Sequence, residues 1–249
     1  MAEPKTTTTA ENKTGGGPWI PLESNPDVFN SWARKLGMAN TAHFEDIYGL
    51  DPELLAMVTK PVKAVLMIFP ISPQMEASRK TDDEAMRKDG LSPNISPHIM
   101  FIEQKIGNAC GTIGLLHALL NSDVTIGPTS SLAQFQEKCD GLSPSDRADL
   151  LAKTTLFAKA HSEAATSRES DSTVPTKLDT DLHFTCFLQA VDGADSEKKR
   201  LIELDGRRVG PVDHGDTDDV LKDVSKVMKE KYLKLSTSMQ FGLVALCGR

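Results

Sequence analysis

The chain has 249 residues, 39% of them hydrophobic, which is enough for one large domain with a sizeable core. Its 28 basic and 35 acidic residues leave a net charge of −7, which argues against a nucleic-acid surface and favours a basic or neutral partner. Cys110, Cys139, Cys186 and Cys247 show no close pairing, so neither a metal site nor a disulfide framework is indicated, and no apolar run is long enough to span a bilayer. A soluble, cytoplasmic protein with reduced thiols is the expectation.

Residues 1–17 are rich in Thr, Gly and Lys and have little to bury, so a flexible tail is expected there, followed by a single domain over 18–249. NPDVFNSWARKLG sets Val28, Trp32 and Leu36 four apart ahead of Gly37, a helix followed by its stop. In DPELLAMV, Asp51 is placed to cap and Pro52 to take the first helical position, while VKAVLMIF reads as a strand buried on both faces. Residues 74–89 read as an exposed helix, HIMFIEQ as a second strand, and an Asn108-led helix follows it. LSPSDRADLLAKTTLFAKA, with Ser143 as cap and Pro144 in the first turn, predicts one long helix. From about Ser162 to Thr180 only Val174 and Leu178 are branched apolar residues, so an unusually long unstructured connection is expected. LHFTCFLQAV and RLIELDGR then read as two strands joined by a charged loop. TDDVLKDVSKVMKEKYLK reads as an amphipathic helix through Val220, Val224, Val227 and Met228, and MQFGLVALC as a last strand. This order of elements implies an α+β domain around a central sheet.

Gly107 and Asn108 interrupt the chain, and from Cys110 the apolar residues Ile113, Leu116 and Leu120 recur at helical spacing. Cys110 therefore falls in the first turn of a helix, where unpaired N–H groups and the helix dipole favour a thiolate. Taken alone, such a cysteine is more often a small buried hydrophobe, so the matter turns on a base within hydrogen-bond reach. His117 lies on the same helix roughly 10 Å along its axis and reads as a core or supporting residue. His43 in AHFED, His161 at the edge of the long connection and His214 in a polar turn read as solvated, and His98 is undecided.

His183 differs. It alternates with Leu182, Phe184, Cys186 and Leu188, which puts an imidazole on the other face of a largely apolar strand, where it needs a partner. A register with Thr185 opposite Asp205 makes His183 and Asp205 a diagonal pair, roughly 7 Å apart at the backbone. Asp205 could then hold the imidazole tautomer, although Asp-Gly is also a common turn dipeptide. Gln104 sits where its side-chain amide could donate to a developing oxyanion beside the Cys110 N–H, although a lone glutamine at a strand end is usually a surface residue.

Residues 18–249 resemble the ubiquitin C-terminal hydrolases, the papain-like deubiquitinases of peptidase family C12. QKIGNACGTIGLLHAL, the LHF strand and LIELDGR carry the resemblance, with PWIPLESNP, YGLDPELLAMV and VLMIFPI in support. It implies Cys110 as nucleophile, His183 as general base and acid, Asp205 as its orienter and Gln104 at the oxyanion, with Pro21, Leu22, Glu23, Asn108 and the segment around Phe241 meeting ubiquitin. It also implies a papain-like fold with a central antiparallel sheet flanked by helices, a knotted backbone and no cofactor. The stretch 162–180 would be a crossover loop over the active site, admitting flexible tails but obstructing folded leaving groups, so small or unfolded adducts would be preferred. Ubiquitin is the expected partner of a free-standing monomer. Action on a related modifier such as Nedd8, or non-catalytic ubiquitin binding, are the alternatives. The loop Asp192 to Arg200 looks longer than in the short animal members, which leaves the triad intact if it only extends a hairpin tip.

Overall fold

The computed structural model describes residues 18–167, 180–236 and 238–248, so the expected N-terminal tail and residues 168–179 of the expected crossover lie outside the described residues. Helix α1 (Pro26–Leu36) starts where the Asn25 side chain accepts from the Asp27 and Val28 N–H groups and ends at Gly37, whose φ of 122° suits a residue without Cβ. Its apolar stripe is buried, with Trp32 against Phe157 and Phe29 edge-on to Phe44 and Phe184. Burial of each such phenylalanine stabilises the fold by about 1.5–3 kcal/mol.

Six antiparallel strands form one sheet: β1 (Ala42–Asp46), β2 (Val62–Pro70), β3 (Leu182–Val191), β4 (Lys199–Leu204), β5 (Val212–Asp216) and β6 (Gly242–Gly248), in the order β1-β6-β2-β3-β4-β5. Alternation divides the apolar side chains between two cores. Ala64, Leu66, Phe184, Cys186, Leu188, Val244 and Leu246 join α1, α4 (Cys110–Leu120), α5 (Ser131–Cys139), α6 (Pro144–Lys153) and α7 (Thr155–Ala165) on one face. Val65, Met67, Phe69, Phe187, Leu243, Ala245 and Cys247 meet α8 (Val220–Val227) on the other. Two covered faces explain why VKAVLMIF and MQFGLVALC lack polar alternation. Two helices lie nearer the surface. The first is α2 (Pro52–Leu55), where Asp51 makes no side-chain cap bond, and the second is α3 (Pro73–Asp89), which buries only Met75 and Asp83.

Asp51 is one expectation that fails, and others need correction. HIMFIEQ forms no strand, because its donors go elsewhere: Met100 N–H to Asn121 Oδ1 at 2.6 Å, Ile102 N–H to His117 Nε2 at 3.0 Å and Gln104 N–H to the Gly206 carbonyl at 2.7 Å. The long helix after Ser143 is two. Thr154 leaves helical geometry at ψ 88° with its hydroxyl on the Leu150 carbonyl at 2.7 Å, which separates α6 from α7. Helix α7 runs to Ala165, into the stretch expected to be unstructured. The AHFED segment around His43, read as a solvated loop, and the polar turn expected around His214 are the two edge strands β1 and β5. The amphipathic helix through Val220 changes at Met228 into a π-helical segment (Met228–Tyr232) before the short α9 (Leu233–Leu235).

Candidate active site

Helix α4 begins at Cys110. Asn108 precedes it with φ 61°, a left-handed conformation that asparagine tolerates better than most residues, and this sharp turn directs the chain into the helix. Cys110 is 9% exposed, and the backbone amides of Gly111 and Phe184 both bear on its sulfur. Where α4 meets the start of β3, the Cys110 thiol hydrogen-bonds the His183 imidazole. His183 Nε2 lies 2.6 Å from Asp205 Oδ1, which leaves Nδ1 as the nitrogen toward sulfur. Asp205 is held in turn by the Arg207 N–H at 2.9 Å. The β3–β4 ladder ends at Cys186↔Leu204, so the next step sets Thr185 against Asp205, and Asp192 to Arg200 lies at the far end of that hairpin.

The electrostatics single out this thiol. Burial raises Cys139 to about 11 and Cys247 to about 12, and it pushes Cys186 up as well. Burial opposes ionisation of Cys110 too, but the His183 hydrogen bond and charge, with the two amides, outweigh it and pull the thiol below its ordinary value. Burial likewise disfavours a charged His183, yet the Asp205 carboxylate and Cys110 raise it to about 10. Both shifts favour a thiolate–imidazolium pair at neutral pH.

Gln104 is tied to the same turn through the Gly206 carbonyl, and its Nε2 donates to the Ile106 carbonyl at 3.3 Å. Its Oε1 is buried and has no partner among the described residues. A Cβ on Gly206 would lie 3.1 Å from both Gln104 Cβ and Ile113 Cγ2, so the turn after Asp205 admits only glycine without movement. Gly206→Ala is expected to lower the kcat of any hydrolysis carried by Cys110 about tenfold with little change in KM, because the added Cβ presses on Gln104 and on Ile113 of the helix that bears the thiol. Steady-state kinetics at fixed temperature checks this.

The remaining candidates are dispersed. Asn108 Nδ2 donates to the Trp19 carbonyl at 2.9 Å. Leu22 is 5% exposed and packs over Gly111, whereas Pro21, Glu23 and Phe241 are half-buried. Glu23 lines a groove of about 480 Å³ with Asp27, Glu45, Asp46 and Tyr48. Asp46 has a raised pKa, from burial first and then from the charge of Asp27, so acidic groups crowd one another there. Asp27 and Asp46 went unnoticed in the sequence because each reads locally as a helix-start or turn acid. Of the other histidines, His117 is buried in the core and His98 is exposed. His43 is half-buried on β1, 2.9 Å from Glu45. The expectation that His161 and His214 are solvated is wrong: His161 is 1% exposed, and the His214 side chain is 3% exposed against Glu203. Among the described residues no group of three His, Cys, Asp or Glu is set to hold a metal ion, and no helix is long and apolar enough to cross a membrane.

A depressed thiol at a helix start, an imidazole against it and a carboxylate behind the imidazole, on a helix packed against an antiparallel sheet, define a papain-like cysteine hydrolase. The sequence profile of ubiquitin carboxyl-terminal hydrolase family 1 matches residues 19–233, and the chain belongs to that family. It is 39% identical over 246 residues to ubiquitin carboxyl-terminal hydrolase 3 of Arabidopsis thaliana, covering 97% of this chain and 99% of the relative. It is 37% identical over 231 residues to the human isozyme L1, covering 91% and 97%. The fold matches the Trichinella spiralis UCH37 catalytic domain, solved bound to ubiquitin vinyl methyl ester, with a TM-score of 0.70 at 23% identity over 96% of this chain and 99% of that one.

Proposed function

We propose that this chain is a deubiquitinating thiol hydrolase that cleaves adducts from the C-terminal glycine of ubiquitin through Cys110. The observation that carries the reading is the Cys110–His183–Asp205 chain with its lowered thiol and raised imidazole. The Cys110 thiolate attacks the carbonyl carbon of the terminal glycine, and the oxyanion is met by the Cys110 N–H and the Gln104 amide. His183 gives its proton to the leaving amine as the C–N bond breaks, leaving a thioester. It then takes a proton from water, hydroxide adds to the thioester, and the C–S bond breaks to restore the thiolate–imidazolium pair and release ubiquitin's carboxyl group, which gives up its proton to solvent. The acidic groove at Glu23, Asp27 and Asp46 suits a partner with a basic tail, with Pro21 and Phe241 contributing to the same encounter. The enzyme acts as a monomer in the cytoplasm, where thiols stay reduced, and prefers small or unfolded leaving groups.

The reading is tested by exposing the protein to ubiquitin and, separately, to Nedd8, each carrying a C-terminal electrophile. A covalent adduct with ubiquitin that disappears in Cys110→Ala is the expected result, and mass spectrometry would place it on Cys110. Reaction with Nedd8 alone would reassign the substrate, and no adduct with either would leave the fold as a non-catalytic binder.

A further inference from the structure

His161 takes no part in the chemistry above, yet it is among the most enclosed polar side chains of the fold. It sits on α7, and its ring centroid is 4.5 Å from that of Trp19. Nε2 lies 2.5 Å from the Ile20 carbonyl, which can only accept, so Nε2 carries the proton. Nδ1 is then a bare acceptor, and the Thr112 hydroxyl, 2.8 Å away, donates to it. Burial, partly offset by the Ile20 carbonyl, lowers the imidazole to about 4, in keeping with one neutral tautomer at physiological pH.

Thr112 belongs to the first turn of α4, and the rest of that turn is held by the same neighbours. The Trp19 N–H donates to the Gly107 carbonyl at 2.8 Å, and Asn108 Nδ2 donates to the Trp19 carbonyl at 2.9 Å. A Cβ on Gly111 would lie 3.0 Å from Leu22 Cβ, so Leu22 rests directly on the residue whose amide bears on the Cys110 sulfur. The segment Trp19 to Leu22 is thus a strap across the start of the nucleophile helix, and His161 joins the strap to that helix through two directional hydrogen bonds. Pro21 and Glu23 stand on the same segment, and α7 leads into the stretch toward β3.

We propose that His161 is a positioning residue that locks the Trp19–Leu22 strap onto the first turn of α4, so that the pose of Cys110 depends on the segment that meets the substrate. The substrate half of this statement rests on the function proposed above. The positioning half does not. A histidine kept only for packing would be replaceable by leucine at a cost in stability alone. A positioning histidine also sets the reactivity of a thiol it never touches.

The test compares His161→Leu, His161→Gln and Thr112→Val with the wild-type chain, each assayed well below its own melting temperature. Hydrolysis of a ubiquitin C-terminal fluorophore amide gives kcat and KM, and alkylation of Cys110 by iodoacetamide across pH reads the thiol without ubiquitin. His161→Leu is expected to lower kcat about tenfold or more with KM within about threefold, and to move the alkylation profile to higher pH. His161→Gln, whose Nε2 can reach the Ile20 carbonyl, should recover to within about threefold of wild type, and Thr112→Val should fall between. If His161→Leu does not fold, Thr112→Val, which removes one hydroxyl, decides the matter by the same two readouts. Wild-type kcat and alkylation in a folded His161→Leu, or in Thr112→Val where that variant decides, with only the melting temperature lowered, would overturn the proposal. A wild-type chain inert toward ubiquitin would sink the functional reading, while the alkylation profiles would still decide the role of His161.

Discussion

Asp205→Ala is expected to reduce kcat on a ubiquitin amide by about three orders of magnitude, and to narrow the pH profile from both sides. Asp205 Oδ1 accepts from His183 Nε2 at 2.6 Å, and both groups are buried. Without the carboxylate, burial of the imidazolium is no longer offset, so His183 falls from its raised value and the alkaline limb moves to lower pH. A less available imidazolium stabilises the thiolate less, so Cys110 rises and the acid limb moves to higher pH. The two limbs report the pair rather than either residue singly, which is why they should approach each other together. Asp205→Asn is the informative control. It keeps an acceptor for Nε2 but removes the charge, so it should retain more kcat than alanine while showing the same narrowing. An unchanged profile in both variants would mean that Asp205 shapes the turn only.

Glu203→Ala is expected to destabilise the fold by about 3–5 kcal/mol, a large share of the total stability of a domain. Glu203 is 2% exposed on β4, and its carboxylate takes the Thr185 hydroxyl at 3.1 Å, His214 Nε2 at 2.8 Å and the Tyr232 hydroxyl. The π-helical segment ends at Tyr232, and the extra residue in that turn lets the helix after β5 present a phenol to the sheet. Burial and the Asp205 charge oppose ionisation of Glu203, but His214 and Tyr232 prevail and hold it below the ordinary carboxylate value. Truncation therefore strands three polar groups around a cavity of about 80 Å³ that Glu203, Asp205, His214 and Tyr232 help to line. A carboxylate with a lowered folded pKa stabilises above its unfolded value and loses that contribution as pH falls. The deficit of Glu203→Ala in urea titrations should accordingly shrink in acid, and Glu203→Gln, which keeps the shape, should cost about 1–3 kcal/mol at neutral pH.

What could be read in advance was what local chemistry determines. Ser143 caps its helix because a short polar side chain can satisfy the first amides, and that is visible within four residues of sequence, whereas Asp51, chosen by the same rule, makes no such bond. The placing of Cys110 at a helix start was legible for the same reason, since Gly107 and Asn108 stop one pattern and the apolar spacing starts another. The pairing of His183 with Asp205 was legible through strand alternation and register, two rules of period two. The errors lie where a distant group decides. HIMFIEQ has the composition of a strand, but its amides are taken by Asn121, His117 and Gly206, none of them a ladder partner. His161 and His214 sit in polar stretches, and only the tertiary fold brings Thr112 and Ile20 to one and Glu203 to the other. The π turn at Met228 leaves the heptad-like apolar pattern unchanged and so gives no local warning.

The position of β6 bears on how the protein acquires its shape. β1 has a single neighbour, β6, and the ladder sets Ala42 against Gly248, 206 residues further along the chain. β2 likewise keeps one edge open until Leu243 to Leu246 arrive, with Val65 and Met67 uncovered in the interval. Such remote pairing makes folding slow, because loop closure must precede the contacts that reward it. A nascent chain on the ribosome must therefore carry unpaired β1 and a half-finished β2 until nearly all of the domain has emerged. During that interval the chain exposes aggregation-prone strand edges that a chaperone would have reason to cover.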